Sequence, residues 1–162
     1  MRTLRALPLA REPYAPYGDV IEAGVDGRAA NHGTARKSEW LAELVDRRPG
    51  HARPHVSVFR CAPRALPIEI ERLERHPAST QIFVPMGARR YLVVVALGDA
   101  APDPATLRAF VATGTQGITY RPGVWHHPMI ALEIETDFFC LVHEDGSADD
   151  CVEQDLRALV TT

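Results

Sequence analysis

Two adjacent histidines, His126 and His127, follow a Pro-Gly pair and are closed by Pro128. A neutral imidazole can accept a proton or bind a metal ion, so this pair could support acid–base or metal chemistry. Side chains alternate between the two faces of a strand, so only one of the two can point inward while the strand stays regular. The turn at Gly123 favours His126 as the inward residue. We expect His127 at a neighbouring sheet or a subunit interface.

A second polar cluster lies upstream, where Glu74 and His76 stand two residues apart on a predicted strand over 67–76. Period-two alternation places both on the side of Ile68 and Ile70. If that side faces the core, a carboxylate and an imidazole are buried together, and burying them without a partner is costly. A metal ion or a bound substrate would supply the partner. The alternative is an ordinary surface network with arginines.

Short strands must position these residues, because thirteen prolines and eleven glycines punctuate brief apolar stretches. The predicted strands cover residues 3–9, 18–22, 55–61, 67–75, 81–84, 90–97, 107–112, 118–120, 129–133 and 137–143. Residues 91–97 are apolar on both faces, which predicts a strand covered on each side. One helix is predicted over 38–46, because Ser38 can cap it and Trp40 and Leu44 fall at helical spacing. The pattern favours a sandwich or a jelly-roll barrel.

Composition narrows the class of protein. The 162 residues suggest one domain over 1–162. The net charge of −3 and the lack of a basic stripe argue against a protein that binds nucleic acid. No apolar run is long enough to span a membrane and no signal peptide is evident, so we expect a soluble cytoplasmic protein. A single lysine, Lys37 in a polar segment, argues against a Schiff-base mechanism, and the three cysteines form no C-x-x-C pair. Residues 114–117 resemble no phosphate loop, so no nucleotide cofactor is expected.

The motifs occur in an order that resembles the ureidoglycolate lyase family. They include Glu-Arg-His-Pro at 74–77, the run 80–86 and Val-Trp-His-His-Pro at 124–128, and the resemblance spans roughly residues 1–155. It implies one cupin-type double-stranded β-helix, a jelly-roll barrel with one or two short helices, that forms a homodimer. It also implies cleavage of the small-molecule substrate (S)-ureidoglycolate to glyoxylate and urea, late in allantoin breakdown within purine catabolism.

The same resemblance implies a metal site. Glu74, His76, Gln81 and His126 occupy the positions where cupins commonly carry three histidines and a glutamate. A divalent metal is implied, with nickel associated with some members and zinc or manganese as alternatives. The set of two imidazoles, one carboxylate and one amide departs from the usual cupin site and would bind metal more weakly.

Cleavage of this hemiaminal needs a base for the hydroxyl proton, a donor for the departing nitrogen and a group that binds the carboxylate. We assign His126 or His76 as the base, with Glu74 orienting it. Arg75 or Arg108 is expected to hold the substrate carboxylate, although alternation places Arg75 opposite Glu74. The further predicted substrate contacts are Gln81, Trp125 and His127.

Two other functions stay open at this stage. One is another small-acid cupin enzyme, a metal-dependent oxygenase or isomerase. The other is a cupin that binds a metabolite without turning it over. The predicted homodimer has separate support, because a jelly roll with exposed strand edges commonly covers one with a second subunit.

Overall fold

A computed structural model describes residues 1–48, 50, 52–87 and 89–162 of the chain, and most of their regular structure is β-strand. The strands are β1 (Arg2–Arg5), β2 (Leu7–Pro8), β3 (Val20–Ile21), β4 (Arg28–Ala30), β5 (Ala35–Lys37), β6 (Arg53–Cys61), β7 (Ile68–Arg75), β8 (Gln81–Pro85), β9 (Arg90–Ala96), β10 (Arg108–Thr113), β11 (Gly117–Tyr120), β12 (Trp125–His126), β13 (Ile130–Leu132), β14 (Thr136–Glu144) and β15 (Val152–Thr161). The helices are α1 (Arg11–Tyr14) and three short 3-10 helices at Asn31–Gly33, Pro104–Thr106 and Ala148–Asp150. None of these described helices has the length and apolar character needed to cross a membrane.

Two large sheets form the architecture. The larger sheet has the strand order β1-β15-β7-β12-β9-β10-β2, with β13 also paired to β9. The smaller sheet has the order β3-β11-β8-β14-β6, and β4 and β5 form a separate hairpin. Because β1 also contacts β10, the larger sheet curls nearly into a closed barrel. This mostly β fold agrees with the predicted cupin-type jelly roll, and every predicted strand overlaps an observed one.

Strand β9 lies between two apolar cores, as its uniformly apolar sequence predicts. Its residues Tyr91 and Val95 belong to the inter-sheet core, which both large sheets build. Leu92 and Val94 belong to a second core, which is built from the larger sheet and its flanking turns. Burying one such side chain stabilises the fold by about 1.5–3 kcal/mol. The two cores therefore fix β9 as the central strand against which the neighbouring β12 is held.

The helix predicted over 38–46 is wrong. Residues 38–46 are not helical, and Trp40 has a φ of +59° and is 98% exposed. The segment docks by backbone pairing instead, since the Val45 amide donates to Oγ1 of Thr80 (3.0 Å) and the Thr80 amide donates to the Val45 carbonyl (2.9 Å). These hydrogen bonds hold the segment in a non-helical conformation, although its apolar residues fall at helical spacing. The sequence also predicts a polar loop over 47–54, of which Pro49 and His51 lie outside the described residues.

Strand β7 changes the phase of its buried side chains. Ile68, Ile70 and Leu73 all belong to the second core, so the inward position moves from even to odd residue numbers along the strand. The pairing between β7 and β15 shifts register at this point. Glu74 and His76 therefore face away from Ile68 and Ile70, and the prediction that all four share one side is wrong.

Candidate active site

A Pro-Gly turn connects the two predicted clusters. Gly123 has a φ of +85°, a conformation that glycine adopts without strain, and the Val124 amide donates to the Arg121 carbonyl at 3.0 Å. Pro122 and Gly123 thus form the centre of a tight turn. The Gly123 amide also donates to the carbonyl of His76 at 2.9 Å. The turn is therefore bonded to the end of β7, and β12 begins beside that strand.

Glu74, His76 and His126 form a compact triad on the side of the inter-sheet core. Glu74 and His126 are direct partners across β7 and β12, and Oε1 of Glu74 lies 3.5 Å from Nε2 of His126. The rings of His76 and His126 are stacked with centroids 5.5 Å apart. One ligand atom from each residue lies within 4.8 Å of the others. Both histidines are buried, whereas the Glu74 side chain is 22% exposed and forms the open edge.

Backbone carbonyl groups set the tautomer of both histidines. Nδ1 of His76 lies 2.7 Å from the carbonyl oxygen of Asp150, and Nδ1 of His126 lies 3.0 Å from that of Val124. A carbonyl only accepts, so we assign the proton of each neutral ring to Nδ1. Nε2 of each ring then carries a lone pair, and neither buried atom has a hydrogen-bond partner among the described residues. Two free lone pairs thus lie beside the Glu74 carboxylate.

Two further side chains complete the surroundings of the triad. The ring of Tyr120 stacks on His126 with centroids 3.9 Å apart and planes 9° apart. Gln81 is the direct partner of Tyr120 across β8 and β11, and its Nε2 donates weakly to Sγ of Cys140 at 3.6 Å. Oε1 of Gln81 is buried and has no partner in the part of the chain that the structure describes. No pattern in the sequence predicts a role for Tyr120, although its strand leads directly into the turn.

The charges of the triad follow from burial and proximity. Burial raises the pKa of Glu74. The close contact with His126 and the positive charge that His126, His76 and His127 carry when protonated outweigh that effect, so the pKa stays below its ordinary value. Burial lowers the pKa of His76, and the neighbouring His126 lowers it further. At neutral pH the site therefore combines an ionised carboxylate with a neutral His76 imidazole.

This donor set fits a divalent metal ion. Carboxylate oxygen, imidazole nitrogen and amide oxygen suit nickel, zinc or manganese; the triad supplies the first two, and Gln81, the cross-strand partner of Tyr120, carries the amide oxygen. The backbone carbonyls on the two Nδ1 atoms supply the outer contacts that metal-binding histidines usually make. Burial raises the pKa of the Cys140 thiol to about 11, so this sulfur stays protonated and is a poor ligand. Three of the four predicted metal ligands, Glu74, His76 and His126, therefore lie together in the structure.

Arg75 and Trp125 lie on the opposite face of the sheet from the triad. The Arg75 guanidinium carbon is 4.7 Å from the centre of the Trp125 ring, a cation–π contact. Trp125 is fully buried in the second core and donates from Nε1 to the Gly98 carbonyl at 3.1 Å. The structure therefore does not bring these two predicted substrate contacts to the triad.

Arg108 shares the face of His126. Both residues pair with Val95, from opposite sides of β9, so their side chains point the same way. Two strand spacings of about 4.8 Å separate their Cα atoms by about 10 Å. The guanidinium is exposed and donates to the carbonyls of Ala105 (3.0 Å) and Leu107 (2.9 Å). It is on the correct side of the sheet but does not touch the triad.

His127 is half-buried next to a different cavity. Its Nδ1 lies 2.7 Å from the Pro128 carbonyl, and burial lowers the pKa of its imidazole. It lines a polar cavity of about 740 Å³ together with charged side chains of β7 and β15. Residues of the triad do not line that cavity, so the structure separates His127 from His126 as strand alternation predicts.

A nearly closed β-barrel with Glu74 and His126 on its strands and His76 directly after one of them defines a cupin-type protein. The family described as ureidoglycolate lyase matches residues 1–161, and the chain belongs to this family. A ureidoglycolate lyase of Pseudomonas syringae pv. tomato is 41% identical over 154 residues, which cover 94% of this chain and 89% of that protein. One of Pseudomonas aeruginosa is 43% identical over 155 residues (94% and 90%), and one of Burkholderia mallei is 46% identical over 158 residues (96% and 91%).

Proposed function

We propose that this protein is a ureidoglycolate lyase that cleaves (S)-ureidoglycolate to glyoxylate and urea. Membership of the family over residues 1–161 and the names of relatives at 41–46% identity support this function. The observation that carries it is the pair of buried imidazoles with free Nε2 atoms beside the Glu74 carboxylate. The reaction belongs to allantoin breakdown, and we place it in the cytoplasm.

The substrate is a hemiaminal, in which a hydroxyl and a urea nitrogen share one carbon. Removing the hydroxyl proton lets the oxygen form a carbonyl while the carbon–nitrogen bond breaks. The departing nitrogen takes up a proton to give urea, so the proton lost from oxygen balances the proton gained by nitrogen. A single residue that takes and then returns the proton therefore completes the reaction.

His126 is our first candidate for that residue in the metal-free site. Its Nε2 has a free lone pair, and the stacked Tyr120 ring and the Val124 carbonyl hold the imidazole in place. When Nε2 takes the proton, the ring becomes an imidazolium 3.5 Å from the Glu74 carboxylate. The opposite charge stabilises that state, and the imidazolium then protonates the leaving nitrogen. His76 is the second candidate, because its Nε2 likewise has no hydrogen-bond partner within residues 1–48, 50, 52–87 and 89–162.

A bound divalent ion would use the same atoms. Glu74, His76 and His126 would hold it with Gln81, and we propose nickel on the family resemblance, with zinc or manganese as alternatives. Such an ion would lower the pKa of the substrate hydroxyl and attract its carboxylate. Each imidazole has one lone pair at Nε2, so it cannot both hold an ion and accept the proton. The effect of a chelator therefore distinguishes the two assignments.

The substrate carboxylate needs a positive partner. Of the two arginines predicted to hold the carboxylate, Arg108 lies on the triad's face of the sheet and Arg75 on the other. We assign the carboxylate contact to Arg108, which is exposed and free to turn from its present backbone contacts. Gln81 remains a proposed substrate contact through its free Oε1, whereas Trp125 and His127 are proposed to support the turn and strand that carry His126.

The function is tested by the release of urea and glyoxylate from racemic ureidoglycolate, with and without chelator, after spontaneous breakdown is subtracted. We expect equal amounts of both products and a reaction that stops when half of the racemate is consumed. Activity that survives chelation supports His126 or His76 as the base, and activity restored by Ni²⁺ after chelation supports the metal assignment. Absence of both products under all conditions contradicts the proposed function.

A homodimer is part of the proposal. β6 is an edge strand of the smaller sheet, and its exposed side chains include Val56 (57%), Val58 (56%) and Phe59 (46%). An apolar strand edge favours pairing with a second strand, and a second copy supplies one. Light scattering should give about twice the mass of one chain, and Val58→Asp should shift the protein to monomer. A wild-type monomer at low micromolar concentration contradicts this assembly.

A further inference from the structure

A partly buried ion-pair network lies behind His76, on the side of its Nδ1 atom. The side chain of Arg48 is 14% exposed and is the centre of this network. Its guanidinium contacts the carboxylates of Asp46 (3.3 Å), Asp145 (3.5 Å) and Asp150, and it donates to the carbonyl of His143. One arginine thus joins the segment before β6 to the connection between β14 and β15.

Asp150 connects this network to the triad, because its carboxylate belongs to the network and its backbone carbonyl contacts His76. Its carboxylate accepts from the amides of Asp145 (3.1 Å) and Gly146 (2.7 Å) and binds Arg48. Its backbone carbonyl accepts from Nδ1 of His76 at 2.7 Å. The carboxylate contacts therefore determine where the carbonyl lies, because both belong to the same residue at the end of a three-residue helix, Ala148–Asp150.

The side chains at the centre of this network are shielded enough from solvent to hold a neighbouring group in place. The Asp150 side chain is as shielded as that of Arg48, at 14% exposure. By contrast, Arg72 pairs with Glu153 on the surface of β7 and β15, where both side chains are more than half exposed. Exposed pairs contribute little to stability or to geometry, whereas losing one partner of a shielded pair leaves a charge without compensation. Arg72 therefore provides a matched control for Arg48.

We propose that Arg48 and Asp150 are positioning residues that hold His76 in the Nδ1–H tautomer. The carbonyl of Asp150 accepts the Nδ1 proton, which leaves the Nε2 lone pair directed at Glu74 and His126. Outer contacts of this kind orient metal-binding histidines, and their loss typically reduces metal affinity or activity by about 10- to 100-fold. The effect on turnover rests on the proposed function, whereas the effect on the tautomer does not.

The test compares Arg48→Gln and Asp150→Asn with Arg72→Gln in the full chain. Long-range ¹H–¹⁵N NMR of the metal-free protein reports which ring nitrogen of His76 carries the proton, and calorimetric titration reports the affinity for Ni²⁺. We expect the Nδ1–H tautomer in the wild type and in Arg72→Gln, and a mixture of tautomers in the other two variants. Their Ni²⁺ affinity should fall by about 10- to 100-fold. Arg48→Lys keeps the charge and should restore part of both signals.

A single Nδ1–H tautomer for His76 in folded Arg48→Gln and Asp150→Asn overturns the proposal. If either variant fails to fold, Arg48→Lys carries the comparison, and a share of the second tautomer between those of the wild type and of the other folded variant is the expected result. A wild type that releases no urea contradicts the proposed function but leaves the tautomer experiment intact. A loss of turnover in Arg48→Gln with an unchanged tautomer also counts against the proposal.

Discussion

Replacing Glu74 with glutamine keeps the shape of the side chain and removes its charge. Oε1 of Glu74 lies 3.5 Å from Nε2 of His126, so the carboxylate is well placed to stabilise an imidazolium at that position. Two full charges at this distance interact by about 5 kcal/mol at an effective dielectric constant of about 20. If the proton is half transferred in the transition state, about 2–3 kcal/mol of this interaction energy stabilises the transition state. Such a loss corresponds to a roughly 30- to 150-fold lower kcat.

The assay for this prediction is urea release in the presence of chelator, so that loss of a metal ligand does not contribute. Glu71→Gln is the matched control, because Glu71 is an exposed carboxylate on the same strand. We expect the control to stay within about twofold of the wild type. A Glu74→Gln variant that is folded and turns over within about threefold of the wild type would refute the assigned role of the Glu74–His126 pair.

The other predictions concern the turn, the substrate carboxylate and the metal. Gly123→Ala places a side chain at a φ of +85°, which should cost about 1–2 kcal/mol and lower the Tm by roughly 2–8 °C, whereas Gly24→Ala should leave the Tm unchanged. Arg108→Ala should raise KM about tenfold with little change in kcat. Arg75→Ala should lower the Tm and leave KM unaltered, because Arg75 packs on Trp125 on the other face. Equal KM values for Arg108→Ala and the wild type would contradict the assignment to Arg108. Calorimetric titration should detect Ni²⁺ binding to the wild type and at least tenfold weaker binding to His76→Ala, and equal affinities would exclude the triad as the site.

The sequence predicts the parts of this molecule that depend on local periodicity. The apolar faces of 91–97 predict the covered central strand, and alternation after a Pro-Gly turn correctly separates His126 from His127. Glycine at a positive φ is required by the turn itself, so this feature is visible without the structure. The inward position of His126 follows from these two facts.

Features set by distant segments could not be predicted in the same way. The phase change in β7 accompanies a register shift against β15, a ten-residue strand that its weakly patterned sequence did not reveal. Trp40 lies at helical spacing, yet hydrogen bonds between Val45 and Thr80 hold its segment in a non-helical conformation. The Asp150 carbonyl that fixes His76 is a backbone group, which no residue pattern reports.

The most direct test of the central claim compares the wild type with His126→Ala in one assay of urea and glyoxylate from racemic ureidoglycolate. We expect equimolar products, consumption of half of the racemate and a loss of roughly a hundredfold or more in turnover for the variant. Circular dichroism checks that the variant is folded. Near-normal turnover in folded His126→Ala would contradict the role of His126, and no product from the wild type would contradict the proposed function.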